Sequence, residues 1–351
     1  MITGIWLPLK TIVMIIGVLE WQDPSLTTYP KENRSDQKFY ETLIDRGVSK
    51  DNIIYLQDKQ ATRATIISSM EKVLMKSDAS STFLFYYAGH GTRSTDCTKG
   101  YFLNYDCNTA DLENKCFPLS KIEELVKADF KGSQAIFTAD CCYSGMLNTV
   151  ADHLAKTGIA SLVFTSALSS NTSTGAWTFT ESLNEVFSGK PYISKPITEI
   201  NIRTAGDYIA YNMAYANQQK ANFYYSSNFP ADFVIGPMKA DFSGKDHIGD
   251  IKRVWWKDKY YYGRIVDENK NLYHFHYFGW DEKWDEWLTY EKMLDPEFKT
   301  YDVKSKVDVE WSGKWYPAMV LKVDGIFHYI KYNDWSDEWN EWVTADRMKQ
   351  K

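Results

Sequence analysis

Cysteine is scarce in this 351-residue chain: five residues, an odd number, with two of them adjacent at Cys141 and Cys142. That excludes a disulfide-framed secreted miniprotein and suggests a reducing compartment, the cytoplasm, with free thiols at Cys97, Cys107 and Cys116. A surplus of positive charge is also missing. The net charge is -6, so the chain as a whole has no electrostatic pull toward nucleic acid. No apolar run reaches bilayer length, which leaves membranes out as a partner. Residues 11–19 are apolar but run into Glu20, Trp21 and Asp23 rather than a small-residue cleavage site. They read as a first core strand, not a signal-peptide core.

Two strings stand out against this background. Phe83 to Gly91 is an apolar run that stops at His90-Gly91, and Ala135 to Gly145 is one that stops at Cys141-Cys142. A base and a thiol at the ends of buried strands are what Cys/His covalent catalysis requires. His90 would take the proton from one of these thiols and return it to the leaving group, and the N–H groups of Gly91 and Cys142 could hold an oxyanion. Around these strings, residues 11–19, 52–56, 82–87, 134–138 and 159–165 read as strands buried on both faces. Residues 36–46 and 62–76 read as helices, and Ser120 with Glu123 as a capping box opening a third. The alternation predicts an α/β fold with a mostly parallel sheet flanked by helices, and ligands outside the carboxyl ends of its strands.

Punctuation by Gly, Pro and Ser over 236–250 reads as a linker. Beyond it the chain repeats at an offset of 55 residues, with Tyr277 to Trp287 matching Tyr332 to Trp342, and Val254-Trp-Trp matching Val309-Glu-Trp. The expected organisation is a first domain over 1–235, the linker, and two all-β modules at 251–298 and 302–351.

The strings Ala88-Gly-His90-Gly91 and Asp140-Cys-Cys142-Tyr-Ser-Gly145 resemble those of caspase-like cysteine peptidases, metacaspases and their bacterial relatives most closely. The resemblance covers residues 10–235 and lacks the Gln-Ala-Cys-x-Gly wording of animal caspases. It implies a cysteine endopeptidase with Cys142 as nucleophile and Cys141 as a packing neighbour. It also implies an S1 pocket in which Asp140 and, by position, Asp36 face a P1 Arg or Lys. Ala88 replaces the family's Ser, and Lys156, in a loop-like stretch, is a candidate for self-cleavage. Some metacaspases bind calcium, but Asp96, Asp106 and Asp111 lack the later acid, so no metal or other cofactor is expected.

The tail motif resembles chromo-barrel and Tudor-knot modules, which are small SH3-like barrels. By that resemblance Tyr261, Tyr277, Trp280 and Trp284, then Tyr316, Tyr332, Trp335 and Trp339, are aromatic-cage candidates for a cationic or methyl-lysine peptide. Asp281, Glu282, Asp285 and Glu286, with Asp334, Asp337, Glu338 and Glu341, add negative charge. The same rings are also needed to fill a fifty-residue core, and Trp287 and Trp342 read as core. The rival readings are a peptidase of another P1 preference and an inactive caspase-like scaffold in which the barrels do the binding.

Overall fold

The computed structural model describes residues 2–32, 34–193, 197–242, 245–296 and 299–350, without the side chain of Glu338. The chain divides into two compact units. Unit 1 holds residues 1–191, 197–206 and 221–240, and unit 2 holds 192–196, 207–220 and 241–351. Residues 207–220, inside the first domain expected from sequence, therefore group with the repeats, and 236–240 group with unit 1.

Unit 1 is built on six strands: β1 (Thr11–Gly17), β2 (Ile53–Gln57), β3 (Thr82–Ala88), β4 (Gln134–Asp140), β5 (Ala160–Thr165) and β6 (Asn222–Tyr225). Their order is β6-β5-β4-β3-β1-β2. The first five are parallel, and β6 closes the edge antiparallel to β5. Every residue of β1, β3, β4 and β5 is buried. That is the physical reason for their unbroken Val, Ile and Phe runs. Helices α1 (Ser35–Asp45), α2 (Arg63–Leu74), α3 (Leu119–Asp129), α4 (Leu147–Ala155) and α5 (Thr178–Ser188) complete the layers. Gly189, at φ 83°, ends α5 in the left-handed conformation.

Two local expectations are corrected. The capping box at Ser120 does not form. Pro118, with φ already near the helical value, takes the N-cap position, and Glu123 bonds Lys127 and His153 instead. The stretch expected as a loop after Gly145 is α4, and Lys156 is its exposed C-cap residue. Apolar Leu147, Val150, Ala151 and Leu154 supply the buried stripe.

In unit 2 each repeat is a five-stranded antiparallel sheet. The first runs from Ile251–Trp256 to Met293–Leu294, the second from Lys306–Trp311 to Met348–Gln350. Val254, Ile265, Phe275, Tyr277, Leu288 and Met293 form one small core; Val307, Val309, Val320, Ile330, Tyr332 and Val343 belong to the other. The segment 207–217, the later part of helix α6 (Ile202–Asn217), packs Tyr211 on Phe327 and Trp342, and Tyr215 on Tyr262 and Phe278. Trp287 is not core: it is 45% exposed and stacks on His274. Strand alternation explains this, because Leu288 takes the inward position. Trp342 is half-buried, on Tyr211 and Tyr329.

Candidate active site and cation pocket

The ends of three neighbouring strands lie in one row: Gly17 pairs with Ala88, and Ala88 with Asp140. Neighbouring strands lie about 4.8 Å apart. His90 follows Ala88 by two residues and Cys142 follows Asp140 by two, so both leave the carboxyl edge of adjacent strands. The backbones touch there. A Cβ on Gly91 would sit 2.2 Å from the carbonyl oxygen of Cys142 and 2.8 Å from the sulfur of Cys141, so only glycine fits. Cys141 is buried and Cys142 half-buried.

The imidazole of His90 is held by a segment that sequence reasoning passed over. Its Nε2 lies 2.8 Å from the Thr27 carbonyl, which only accepts, so Nε2 carries the proton. In the neutral ring Nδ1 then accepts from the Tyr29 hydroxyl at 3.0 Å. Trp21 lies against the ring with centroids 4.4 Å apart, its own indole N–H donating to the Leu103 carbonyl. Burial lowers the pKa of His90, opposed by the Thr27 hydrogen bond. Burial raises that of Cys142, opposed by the Ser173 N–H, which donates to the sulfur at 3.3 Å. The two side chains thus favour the neutral pair. Their hydrogen bonds go to Thr27, Tyr29 and Ser173 rather than to each other. Burial, and next to it the neighbouring Cys142, push the Tyr29 hydroxyl up to about 12.

The two expected pocket acids differ. Asp36 is fully buried and already paired: Arg34 grips both its oxygens, at 3.0 and 2.8 Å, and Tyr55 donates at 2.7 Å. Arg34 also reaches Asp58 and the Gly17 carbonyl. Gly17 must be glycine, because a Cβ would stand 1.7 Å from an Asp36 oxygen. Asp140 has no basic partner among the described residues. Burial pushes its pKa up to about 6, against hydrogen bonds from Thr180 and Ser166.

Cys107 and Cys116 are joined by a disulfide, with Cα atoms 4.5 Å apart, which corrects the expectation of free thiols there. It also removes the cysteine-based argument for a reducing compartment. Both are buried, brought together by the turn at 108–111 and the short helix Leu112–Lys115, a juxtaposition that spacing alone does not reveal. Asp96 and Asp111 serve separate local turns, and Asp106 accepts from the Arg63 N–H at the start of α2. Among the described residues no three His, Cys, Asp or Glu gather as a metal site, and no helix is long and apolar enough to cross a membrane.

In the first repeat Tyr261, Tyr277, Trp280 and Trp284 line a cavity of about 250 Å³ together with Trp256, Lys283, Asp285 and Glu286. Trp256 was visible in the repeat, matched with Trp311, but fell outside the motif. Tyr277 doubles as core and donates its hydroxyl to Glu286 at 2.9 Å. In the second repeat Trp335 touches Tyr316, Tyr332 and Trp339, and Trp339 also meets Trp311. Tyr332 is buried and donates to Glu341 at 2.6 Å.

Residues 35–151 match the family described as Metacaspase, peptidase C14 domain, over less than half of the chain. No curated protein matches. Among solved structures, the protein GSU0716 from Geobacter sulfurreducens is 16% identical, with TM-score 0.47, covering 64% of this chain and 97% of that one. Caspase-1 from Spodoptera frugiperda is 14% identical, with TM-score 0.43, covering 66% and 92%. AGDP1 AGD34 from Arabidopsis thaliana is 11% identical, with TM-score 0.15, covering 30% and 82%. The chain thus carries, over residues 35–151, a region matching a metacaspase-type peptidase C14 domain.

Proposed function

We propose that unit 1 is a cysteine endopeptidase that cleaves after Arg or Lys, using His90 and Cys142. The observation that carries this reading is the in-register row Gly17, Ala88, Asp140, from which the imidazole and the thiol leave adjacent strand ends. Once the Tyr29 hydroxyl yields Nδ1, that nitrogen accepts the Cys142 proton and the thiolate attacks the scissile carbonyl. The N–H groups of Gly91 and Cys142 receive the developing oxyanion. The imidazolium then protonates the leaving amine, and water, deprotonated by the same nitrogen, hydrolyses the thioester. Asp140, a buried carboxylate with no basic partner, offers the charge for the P1 cation. Asp36 contributes less, because Arg34 neutralises it.

The first repeat, read as a chromo-barrel-like module, would recruit substrate or partner through a cationic side chain in its aromatic pocket. A second reading, a catalytically silent scaffold, draws on the Tyr29 hydroxyl seated on Nδ1 and the thiol bonded to Ser173. Fluorogenic peptides with P1 Arg or Lys separate the two. Wild type is expected to cleave them, and Cys142→Ala to lose at least about a thousandfold in kcat. Turnover that survives Cys142→Ala moves the nucleophile elsewhere; none from wild type favours the scaffold. Because the P1 cation needs ionised Asp140, kcat/KM for basic P1 peptides is expected to fall as pH drops through about 6, while the lowered His90 and raised Cys142 leave it level from there to above 9.0. A narrow acid bell would contradict a neutral resting pair.

A further inference from the structure

The two repeats carry the same rings and the same glutamate, but only in the second does an internal cation grip that glutamate. At the 55-residue offset, Trp256 corresponds to Trp311, Glu286 to Glu341, and Lys292 to Arg347. In the second repeat Arg347 grips both oxygens of Glu341 at 2.9 Å and lies over the Trp311 ring, 5.5 Å from its centroid. Its remaining donors reach the Glu310 carbonyl. Arg347 and Glu341 are both buried. The guanidinium therefore engages the two positions whose counterparts face the cavity of the first repeat.

Position 292 sits in the same local structure, the short helix Tyr290–Lys292 before the closing strand, but its lysine is exposed. Glu286 keeps the tyrosine hydrogen bond of its counterpart and pairs with no basic residue among those described. Lys257, Lys259 and Lys283 lie over Trp256, Tyr261 and Trp284 at 4.3, 4.9 and 6.0 Å. All three are exposed, so they compete for ring faces without neutralising the carboxylate.

We propose that the first repeat binds a cation that carries N–H groups, an arginine or incompletely methylated lysine side chain, between Glu286 and Trp256, and that Arg347 closes the second repeat to such ligands. The inference rests on reading the first repeat as a cation site and adds the ligand class and the silent copy. A carboxylate rewards an N–H donor with a charge-assisted hydrogen bond, which a trimethylammonium cannot make. The rings alone would accept either.

The test uses the full chain with labelled tryptophan indole N–H groups, assigned through single Trp→Phe variants. The probes are Nα-acetyl-arginine methylamide and Nα-acetyl-trimethyllysine methylamide. The arginine probe is expected to shift Trp256, Trp280 and Trp284 and leave Trp311, Trp335 and Trp339 in place. The trimethyllysine probe should bind about tenfold more weakly, and Glu286→Gln should erase that difference. Lys292→Arg, which installs the second repeat's own cation in the first, should weaken the arginine probe. Equal or tighter trimethyllysine binding, indifferent to Glu286→Gln, overturns the ligand class while the cation site stands. Shifts in the second set of tryptophans overturn the closure by Arg347. No shift with either probe removes the cation site itself, and the proposal with it.

Discussion

Four carboxylates, two in each unit, divide in the same way. In unit 1, Asp36 carries its own arginine and Asp140 does not. In unit 2, Glu341 carries its own arginine and Glu286 does not. The paired acids are the ones the fold uses: both are almost wholly inaccessible, and their guanidiniums also tie backbone carbonyls at Gly17 and Glu310. The unpaired acids stand at the carboxyl edge of the parallel sheet and on the wall of the aromatic cavity. A buried charge without a partner is costly, a cost that Asp140 carries and exposed Glu286 does not. The two units arrive at the same division by different geometries.

The sharpest way to break this comparison is to remove the internal cations. Arg347→Leu leaves Glu341 buried and unpaired, and about 3–5 kcal/mol of stability should be lost in chemical denaturation. Arg34→Leu, with Asp36 equally buried, should lose a similar amount. A loss below 1 kcal/mol in either would show that the pair is not structural.

Asp140→Asn should move the other way. The folded state holds the Asp140 proton more tightly than an unfolded aspartate at 3.8, with its pKa pushed up to about 6. The cost of ionising it is therefore absent below about 3.8, grows through that window and is complete above about 6. Asn removes that cost and keeps one acceptor oxygen, enough for the Thr180 hydroxyl but not for Ser166 as well. It should therefore stabilise by at most about 2–3 kcal/mol at neutral pH, with the gain vanishing in acid and the preference for basic P1 residues lost. A gain independent of pH would contradict the assignment. Glu286→Gln, at the exposed end of the series, should change stability by less than about 0.5 kcal/mol.

Much of this was legible in the sequence because burial writes itself into composition. The strands of unit 1 are apolar runs since both faces are covered, and their ends are sharp because Gly, His and Cys interrupt them. The 55-residue repeat was equally plain. What escaped depended on partners far away in the chain. Thr27 and Tyr29, which fix the tautomer of His90, sit in a stretch with no periodicity and sixty residues upstream. The grip of Arg34 on Asp36 joins near neighbours, yet nothing in their spacing distinguishes a buried ion pair from a solvated helix start. Trp287 and Trp342 stand at matched positions, but only the latter meets Tyr211 of the helical segment 207–217. Arg347 was hidden because its counterpart is another basic residue, and only the contact with Glu341 separates the two copies.

One measurement tests the account most directly: kcat/KM for peptides identical except for Arg, Gln or Asp at P1, with wild type, Cys142→Ala and Asp140→Asn. The account predicts strong preference for Arg in wild type, loss of that preference in Asp140→Asn, and no turnover in Cys142→Ala. Preference for P1 Asp, or turnover in Cys142→Ala equal to wild type, would contradict it.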